Sequence, residues 1–240
     1  MKTKGFTSTE LLVSLFIMSV ISTMLISLYL MHHRLYWHVQ KKVEEYLEIQ
    51  WVEELLTQSI RRAGFTPCLA IDQLKVVDTR SLAKNNIQGL SVKQGIQVYR
   101  MGESVGEVFQ VANTQQIKTS KFGFIPKKPI LIADCYHAEI HEVVRARAIP
   151  KGWELTLKKP LVFKYTKEVY IGEWIEEQWY SKKNTTGHWA LYYKKEHSEE
   201  LSPLIHAIIG HIDWSMGKKK VSIQLALSDK EHHFHVMVRS

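Results

Sequence analysis

The sequence predicts an α+β fold, in which one long N-terminal helix precedes a β-rich globular domain. An uncharged run of 21 residues extends from Leu11 to Met31. Apolar residues then continue at helical spacing as far as Ile60. After Pro67, short segments rich in β-branched and aromatic residues alternate with turn signals, which is typical of strands. We therefore expect an antiparallel β-rich domain on which the helix packs.

The run from Leu11 to Met31 is long enough to cross a membrane. As a helix it would span about 31 Å, which is close to the hydrocarbon thickness of a bilayer. A cleavable secretory signal would have a shorter apolar region followed by a small-residue cleavage site, and this stretch has neither. Lys2 and Lys4 favour a cytoplasmic N-terminus, which would place the rest of the chain on the other side.

The helix is expected to continue beyond the apolar run as an amphipathic helix, from about Thr7 to Ala63 overall. Arg61 and Arg62 would lie in its last turn, with Gly64 as the C-terminal cap. The apolar stripe comprises Leu35, Val39, Val43, Tyr46, Leu47, Val52, Leu55, Leu56 and Ile60, and charged residues fill the opposite face. We expect this stripe to pack on the domain that follows.

The pattern after the helix predicts ten strands joined by turns. They cover residues 95–101, 129–133, 139–147, 154–157, 167–175, 177–181, 189–194, 211–216, 221–227 and 232–238. Residues 78–94 and 102–128 are predicted to be loops, with a surface loop at 102–106. A short helical turn is predicted at 203–209.

Composition and charge exclude several classes of protein. Of the 240 residues, 45% are hydrophobic and the net charge is +8, so the chain is neither disordered nor of low complexity. The basic residues are spread in short groups rather than along an arginine-rich helix, and direct nucleic-acid binding is therefore not expected.

Glu10 lies at the threshold of the apolar run and has two compatible interpretations. Thr7 and Glu10 match the T-x-x-E capping box, which satisfies backbone N–H groups at the start of a helix. A carboxylate at a membrane edge also needs a cationic partner. If the chain were cut after Gly5, the new amino group of Phe6 would supply that partner, from the same chain or from a neighbour.

The stretch "KGFTSTELLVSL" resembles the processing site of type IV prepilins, with a short basic leader, Gly before the cut, Phe after it and Glu as the fifth mature residue. The resemblance implies that a prepilin peptidase cuts between Gly5 and Phe6 and then N-methylates Phe6. It also implies an assembly ion pair between Glu10 and the amine of Phe6. "IRRAGFTPC", "ILIADCYHAEIHEV" and "WYSKKNTTGHWALYYKKEHSEELSPLIHAIIGHIDWSM" are similar to PilW-type minor pilins and to the related J-type minor pseudopilins of type II secretion.

The resemblance implies a type IV pilin-like fold and a role in pilus assembly, within a priming or tip complex. Residues 1–5 would be a leader, 6–31 and 32–63 the transmembrane and amphipathic halves of the helix, and 64–240 a periplasmic domain. The implied partners are the prepilin peptidase, other minor pilins, the major pilin and, before assembly, lipid of the bacterial inner membrane. The single-pass membrane protein would later enter the pilus fibre.

Two cysteines and a histidine cluster are the remaining candidates for chemistry. Cys68 and Cys135 fit no zinc or C-x-x-C motif; they are either buried thiols or, in an exported domain, a disulfide. A disulfide would close a loop of nearly seventy residues and could stabilise the fold by about 4 kcal/mol. His233 and His235 are weak metal candidates, because an H-x-H pair lies on one face of a strand but no spacing indicates a third ligand.

No catalytic motif is found in the sequence, so neither an enzyme activity nor a cofactor is expected. Trp174 and Trp179 are predicted to lie in the core, and the acidic pair Glu176–Glu177 is predicted to be solvated.

Two alternatives to a minor pilin remain open. One is a J-type minor pseudopilin of type II secretion, and the other is a membrane-anchored periplasmic enzyme or metal-binding module.

Overall fold

The computed structural model describes residues 7–80, 87–166, 168–215, 218–228 and 230–238. A long apolar helix, α1 (Ser8–Arg61), precedes a β-rich domain with a mixed sheet, which confirms the α+β class. The chain divides into two compact units, one ending at Trp51 and one beginning at Val52.

The elements after α1 are a short 3-10 helix (Ile71–Gln73) and strands β1 (Lys75–Asp78), β2 (Leu90–Ser91), β3 (Ile96–Met101), β4 (Gly106–Asn113), β5 (Gln116–Ser120), β6 (Ile130–Ala133), β7 (His137–His141), β8 (Val143–Ile149), β9 (Gly152–Leu157), β10 (Tyr170–Lys183), β11 (Trp189–Lys194), β12 (Ser198–Ser202), β13 (Ala207–Ser215), β14 (Lys218–Ala226) and β15 (Glu231–Met237).

The end of α1 is fixed by its glycine cap, as the sequence predicts. Gly64 has a φ of +73°, a conformation that residues with a side chain rarely adopt. Its N–H donates to the carbonyl of Tyr99 at 2.8 Å, so this hydrogen bond joins the helix cap to β3. The predicted boundaries at Thr7 and Ala63 agree with the observed helix to within two residues.

The long strand β10 joins the two halves of the large sheet. Its first residues pair with β4 and β6, and its later residues pair with β3 and β11. The main path of the sheet is β1-β7-β6-β10-β4-β5-β9-β8, and a second sheet has the order β13-β14-β15. β1 and β7 run parallel while the other described pairs are antiparallel, so the expectation of a purely antiparallel domain is corrected.

Apolar residues from distant parts of the sequence form the core of the second unit. The largest cluster combines Val52, Leu56 and Ile60 of α1 with Trp179 of β10 and the inner face of the three-stranded sheet. Trp174 lies in a second cluster, so both tryptophans are core residues, as predicted.

The part of the apolar stripe that belongs to the second unit packs on the β-rich domain, as expected. Leu55 is partly buried, and Val52, Leu56 and Ile60 are fully buried. The earlier stripe residues Leu35, Val39, Val43, Tyr46 and Leu47 are exposed.

Several predicted loops contain strands. Residues 78–94 include the end of β1 and all of β2, and residues 102–128 include β4 and β5. β4 was missed because its residues after Gly106 are almost all exposed, so the sequence has no alternation of buried and exposed positions. Backbone pairing with β5, rather than a hydrophobic pattern, holds this strand.

Four further features differ from the prediction. The strand predicted at 139–147 is divided into β7 and β8, which lie at different positions in the sheet. The strands predicted at 167–175 and 177–181 form the single strand β10. The helical turn predicted at 203–209 is wrong, since residues 203–204 form a bend and residues 207–209 already belong to β13. β12 was not predicted either, and its mostly exposed, glutamate-containing sequence explains why.

Candidate functional site at the start of the helix

Glu10 caps the first turn of α1, and its side-chain contacts within the described residues both involve one carboxylate oxygen. The backbone N–H of Thr7 donates to Oε2 at 3.0 Å, and the Thr7 hydroxyl donates to the same atom at 2.9 Å. Glu10 N–H donates to the Thr7 carbonyl at 3.1 Å. This is half of a capping box, because the Thr7 hydroxyl bonds the carboxylate instead of the backbone N–H of Glu10.

The helix that follows Glu10 presents an apolar surface on all sides. Side chains from Leu11 to Met31 are exposed, and the helix is long and apolar enough to cross a membrane. Three hydroxyls in this region donate back to carbonyls of the same helix: Ser14 to Leu11, Thr23 to Ser19 and Ser27 to Thr23, at 2.7–2.9 Å. These polar groups are thus satisfied without water, which suits a hydrocarbon environment.

The other residues of the predicted processing site, Gly5 and Phe6, lie outside the described residues together with the rest of the leader. The structure therefore places Glu10 at the helix start but gives no geometry for the bond that would be cut. Thr7, which binds Glu10, lies on the side of that bond that would be retained after cleavage.

Cys68 and Cys135 form a disulfide, with their Cα atoms 5.2 Å apart. The bond connects the segment after α1 to the β6–β7 turn and spans 67 residues of sequence. Of the two outcomes that the sequence left open, the structure thus has the bonded one.

His233 and His235 lie on the exposed face of β15, as the alternation of the strand predicts. His233 Nε2 is 3.3 Å from Glu231, and His235 Nδ1 is 3.0 Å from the Ser222 hydroxyl. Within the described ranges, no group of three or more histidine, cysteine, aspartate or glutamate side chains could hold a metal ion.

A buried ion pair in the second unit was not predicted. Glu177 of β10 lies 3.0 Å from Arg100 of β3 and also accepts a hydrogen bond from the Ser59 hydroxyl of α1. Both charged residues are more than nine-tenths buried, so the expectation that Glu176 and Glu177 are both solvated is wrong for Glu177. Burial, with the nearby charge of Glu177, raises the pKa of Tyr193 to about 12.

A second buried pair, Glu139 and His141, lies on β7. His141 Nε2 is 2.8 Å from Glu139, and the backbone N–H groups of Val162 and Phe163 donate to the same carboxylate at 2.9 and 2.7 Å. Burial acts to raise the pKa of Glu139, but these hydrogen bonds outweigh it and lower the pKa below its ordinary value. Because both side chains are fully buried, the pair holds the 162–163 segment on the sheet rather than offering a reactive group to a substrate.

The start of α1 is therefore the candidate functional site, because its polar side chains are exposed rather than packed in the core. It combines an exposed carboxylate with an apolar run, Leu11 to Met31, whose side chains are all exposed. No protein-family model, characterised protein or solved structure matches the chain. An acid at the edge of an apolar span suits recognition of a cation at a membrane surface.

Proposed function

We propose that the chain is a minor pilin that takes part in type IV pilus assembly after a prepilin peptidase cuts between Gly5 and Phe6. The observation that carries the proposal is the position of Glu10. It lies in the first turn of an exposed apolar helix, four residues after Phe6 of a G-F dipeptide that follows a short basic leader. The structure supports the coarser requirement, since one apolar helix followed by a β-rich domain suits a single-pass membrane anchor.

In this proposal, cleavage creates a cationic partner for Glu10. Hydrolysis of the Gly5–Phe6 bond leaves an amino group on Phe6, which the peptidase then methylates and which keeps its positive charge. The contacts from Thr7 survive the cut and occupy Oε2, so Oε1 can accept from the amine of a neighbouring subunit. Attraction between the two charges is stronger in a bilayer than in water, because the dielectric constant is low.

The direct test is mass spectrometry of the mature N-terminus of protein purified from membranes. We expect the chain to begin at Phe6 and to carry one additional methyl group on its amine. A chain that retains Met1 would refute the proposal, whatever its location in the cell.

Glu10→Gln tests the assembly step separately from processing. We expect leader removal to be unchanged and incorporation into sheared pili to be strongly reduced, because a neutral amide cannot neutralise the amine. Glu44→Gln is a matched control on the exposed part of the same helix and should leave both processing and incorporation intact. Normal incorporation of the Glu10→Gln subunit would show that the ion pair is not required.

A J-type minor pseudopilin would share this assembly physics but would serve protein export. The two systems differ in their partners, so chemical cross-linking in cells followed by identification of the neighbours distinguishes them. Cross-links to the major pilin support the minor pilin, and cross-links to type II secretion components support the pseudopilin.

A further inference from the structure

We propose that Tyr29, His33 and Trp37 form an interfacial anchor, which fixes α1 at a defined depth by lying in the headgroup layer of a lipid bilayer. The anchor rests on the membrane-inserted state in the proposed function, but it requires neither cleavage at Gly5 nor assembly into a fibre. Its partner is the lipid surface itself.

The three side chains form a continuous ladder along one face of α1. They are spaced four residues apart, which places them one above the other on a helix. The rings of Tyr29 and His33 stack with their centroids 5.9 Å apart. The indole N–H of Trp37 donates to His33 Nε2 at 3.0 Å, and the two rings meet edge to face. The contacts order the rings relative to one another without burying them.

The ladder lies where the apolar run gives way to a charged surface. Tyr29 falls within the last turn of the run that ends at Met31, and Trp37 lies two turns further along. Side chains on a helix lean towards its N-terminus, which here is the membrane side. The Trp37 ring therefore covers the turn around His33, and all three rings fall within the boundary zone.

The chemistry of the ladder suits headgroups better than hydrocarbon or bulk water. Phenol, imidazole and indole each combine an apolar ring with a polar group, and tyrosine and tryptophan concentrate at membrane interfaces for this reason. Arg34 adds a cation at the same level, with Lys41 and Lys42 about two turns beyond it, where lipid phosphates can bind them.

The exposed rings of the ladder are accessible to an external partner. Tyr29 and Trp37 are 67% and 57% exposed, whereas Trp174 and Trp179 in the β-rich domain are at most 3% exposed. Contact with a neighbouring helix would instead favour small residues that let the two backbones approach. The size, polarity and position of the ladder thus favour lipid headgroups as its partner.

The experiment uses the full-length chain in phosphatidylethanolamine and phosphatidylglycerol vesicles, with a nitroxide at one introduced cysteine: Leu28→Cys, Leu35→Cys or Gln40→Cys. The native cysteines are blocked by their disulfide. Electron paramagnetic resonance measures collisions of the label with oxygen and with a water-soluble nickel complex. We expect oxygen to dominate at position 28, nickel to dominate at position 40, and position 35 to lie between them.

The anchor is then removed with Tyr29→Leu, His33→Leu and Trp37→Leu in one chain. We expect the label at position 35 to become more mobile and its oxygen-to-nickel ratio to leave the interfacial range. Tyr46→Leu with Trp51→Leu is the matched control, since these exposed aromatic residues lie further along α1, and it should leave the profile unchanged.

Three results would overturn the anchor. The first is an unchanged profile in the triple variant, and the second is nickel access at position 28, which would show that the helix is not inserted. The third is spin–spin broadening at position 35 that disappears on dilution with lipid, which would show that the ladder faces another helix. An intact Met1 would refute the pilin proposal and leave all three results interpretable.

Discussion

The two compact units use the same kinds of side chain in opposite ways. Leu25, in the unit that ends at Trp51, is 61% exposed, whereas Leu56 on the same helix is completely buried. In residues 7–51, the described side-chain hydrogen bonds join residues that are no more than four positions apart in the sequence. In the second unit, by contrast, the hydrogen-bonded residues Ser59 and Glu177 are 118 positions apart. The second unit is therefore stabilised by its own contacts, and the first has the length and apolar surface of a membrane anchor.

Among the tests of this difference, removal of the buried ion pair is expected to have the largest effect on stability. Glu177→Ala would leave the Arg100 guanidinium buried without its charged partner and would remove the acceptor of the Ser59 hydroxyl. We expect the free energy of unfolding of the second unit to fall by about 3–5 kcal/mol. Urea denaturation of the detergent-solubilised chain, followed by tryptophan fluorescence, measures this change.

Glu199→Ala is the control for that experiment, because Glu199 lies on the exposed face of β12. Its effect should stay within about 0.5 kcal/mol, as for most surface substitutions. If Glu177→Ala were as mild as Glu199→Ala, the buried ion pair would not be a major contributor to the stability of the second unit.

The same substitution, leucine to alanine, tests the comparison when it is made at Leu56 and at Leu25. Leu56→Ala opens a cavity in the largest core cluster, so it should destabilise the second unit by about 2–5 kcal/mol in urea denaturation. Leu25→Ala should leave that stability unchanged. It should instead weaken retention of the chain in membranes, measured by extraction with alkaline carbonate. A loss of domain stability in Leu25→Ala would contradict the division of roles along α1.

The extent of α1 could be predicted from sequence because its signals are local. An uncharged run, a helical period and a glycine cap each involve neighbouring residues. The register of β10 could not be predicted in the same way. Glu176 and Glu177 are adjacent and identical, and only pairing with β3 determines that Glu177 faces the core.

The polar residues show the same contrast between local and long-range signals. Glu10 was found because its motif lies within a few residues of the helix start. The Glu139–His141 pair was missed, although the spacing of two residues placed both side chains on one face of a strand. Its burial depends on Val162 and Phe163, which approach from a segment more than twenty residues away.

Acid should weaken the second unit through Glu139. Because its pKa is lowered in the folded state, the stabilisation is present above the pKa of the unfolded chain. It is lost as the pH falls through the folded value, so the free energy of unfolding should decrease progressively below about pH 4.3, the usual glutamate pKa. Unfolding in urea between mildly and strongly acidic pH measures this slope.

Glu139→Gln should be less stable at neutral pH and should show a shallower slope in acid. Glu196→Gln is an informative comparison, because Lys128 lowers the pKa of this exposed glutamate and salt should screen its smaller contribution. An identical acid slope in native protein and Glu139→Gln would show that other carboxylates govern the acid response.

The smallest effect is expected for His232 and Glu53, whose paired side chains are only partly buried. His232 Nε2 on β15 is 2.7 Å from Glu53 of α1, and both side chains are about one-third exposed. A double-mutant cycle with His232→Ala and Glu53→Ala should give a coupling free energy of about 0.2–1 kcal/mol, and less in high salt. A coupling as large as the loss expected for Glu177→Ala would mean that partial exposure does not weaken ion pairs here. The contrast between buried and exposed contacts would then fail within the second unit itself.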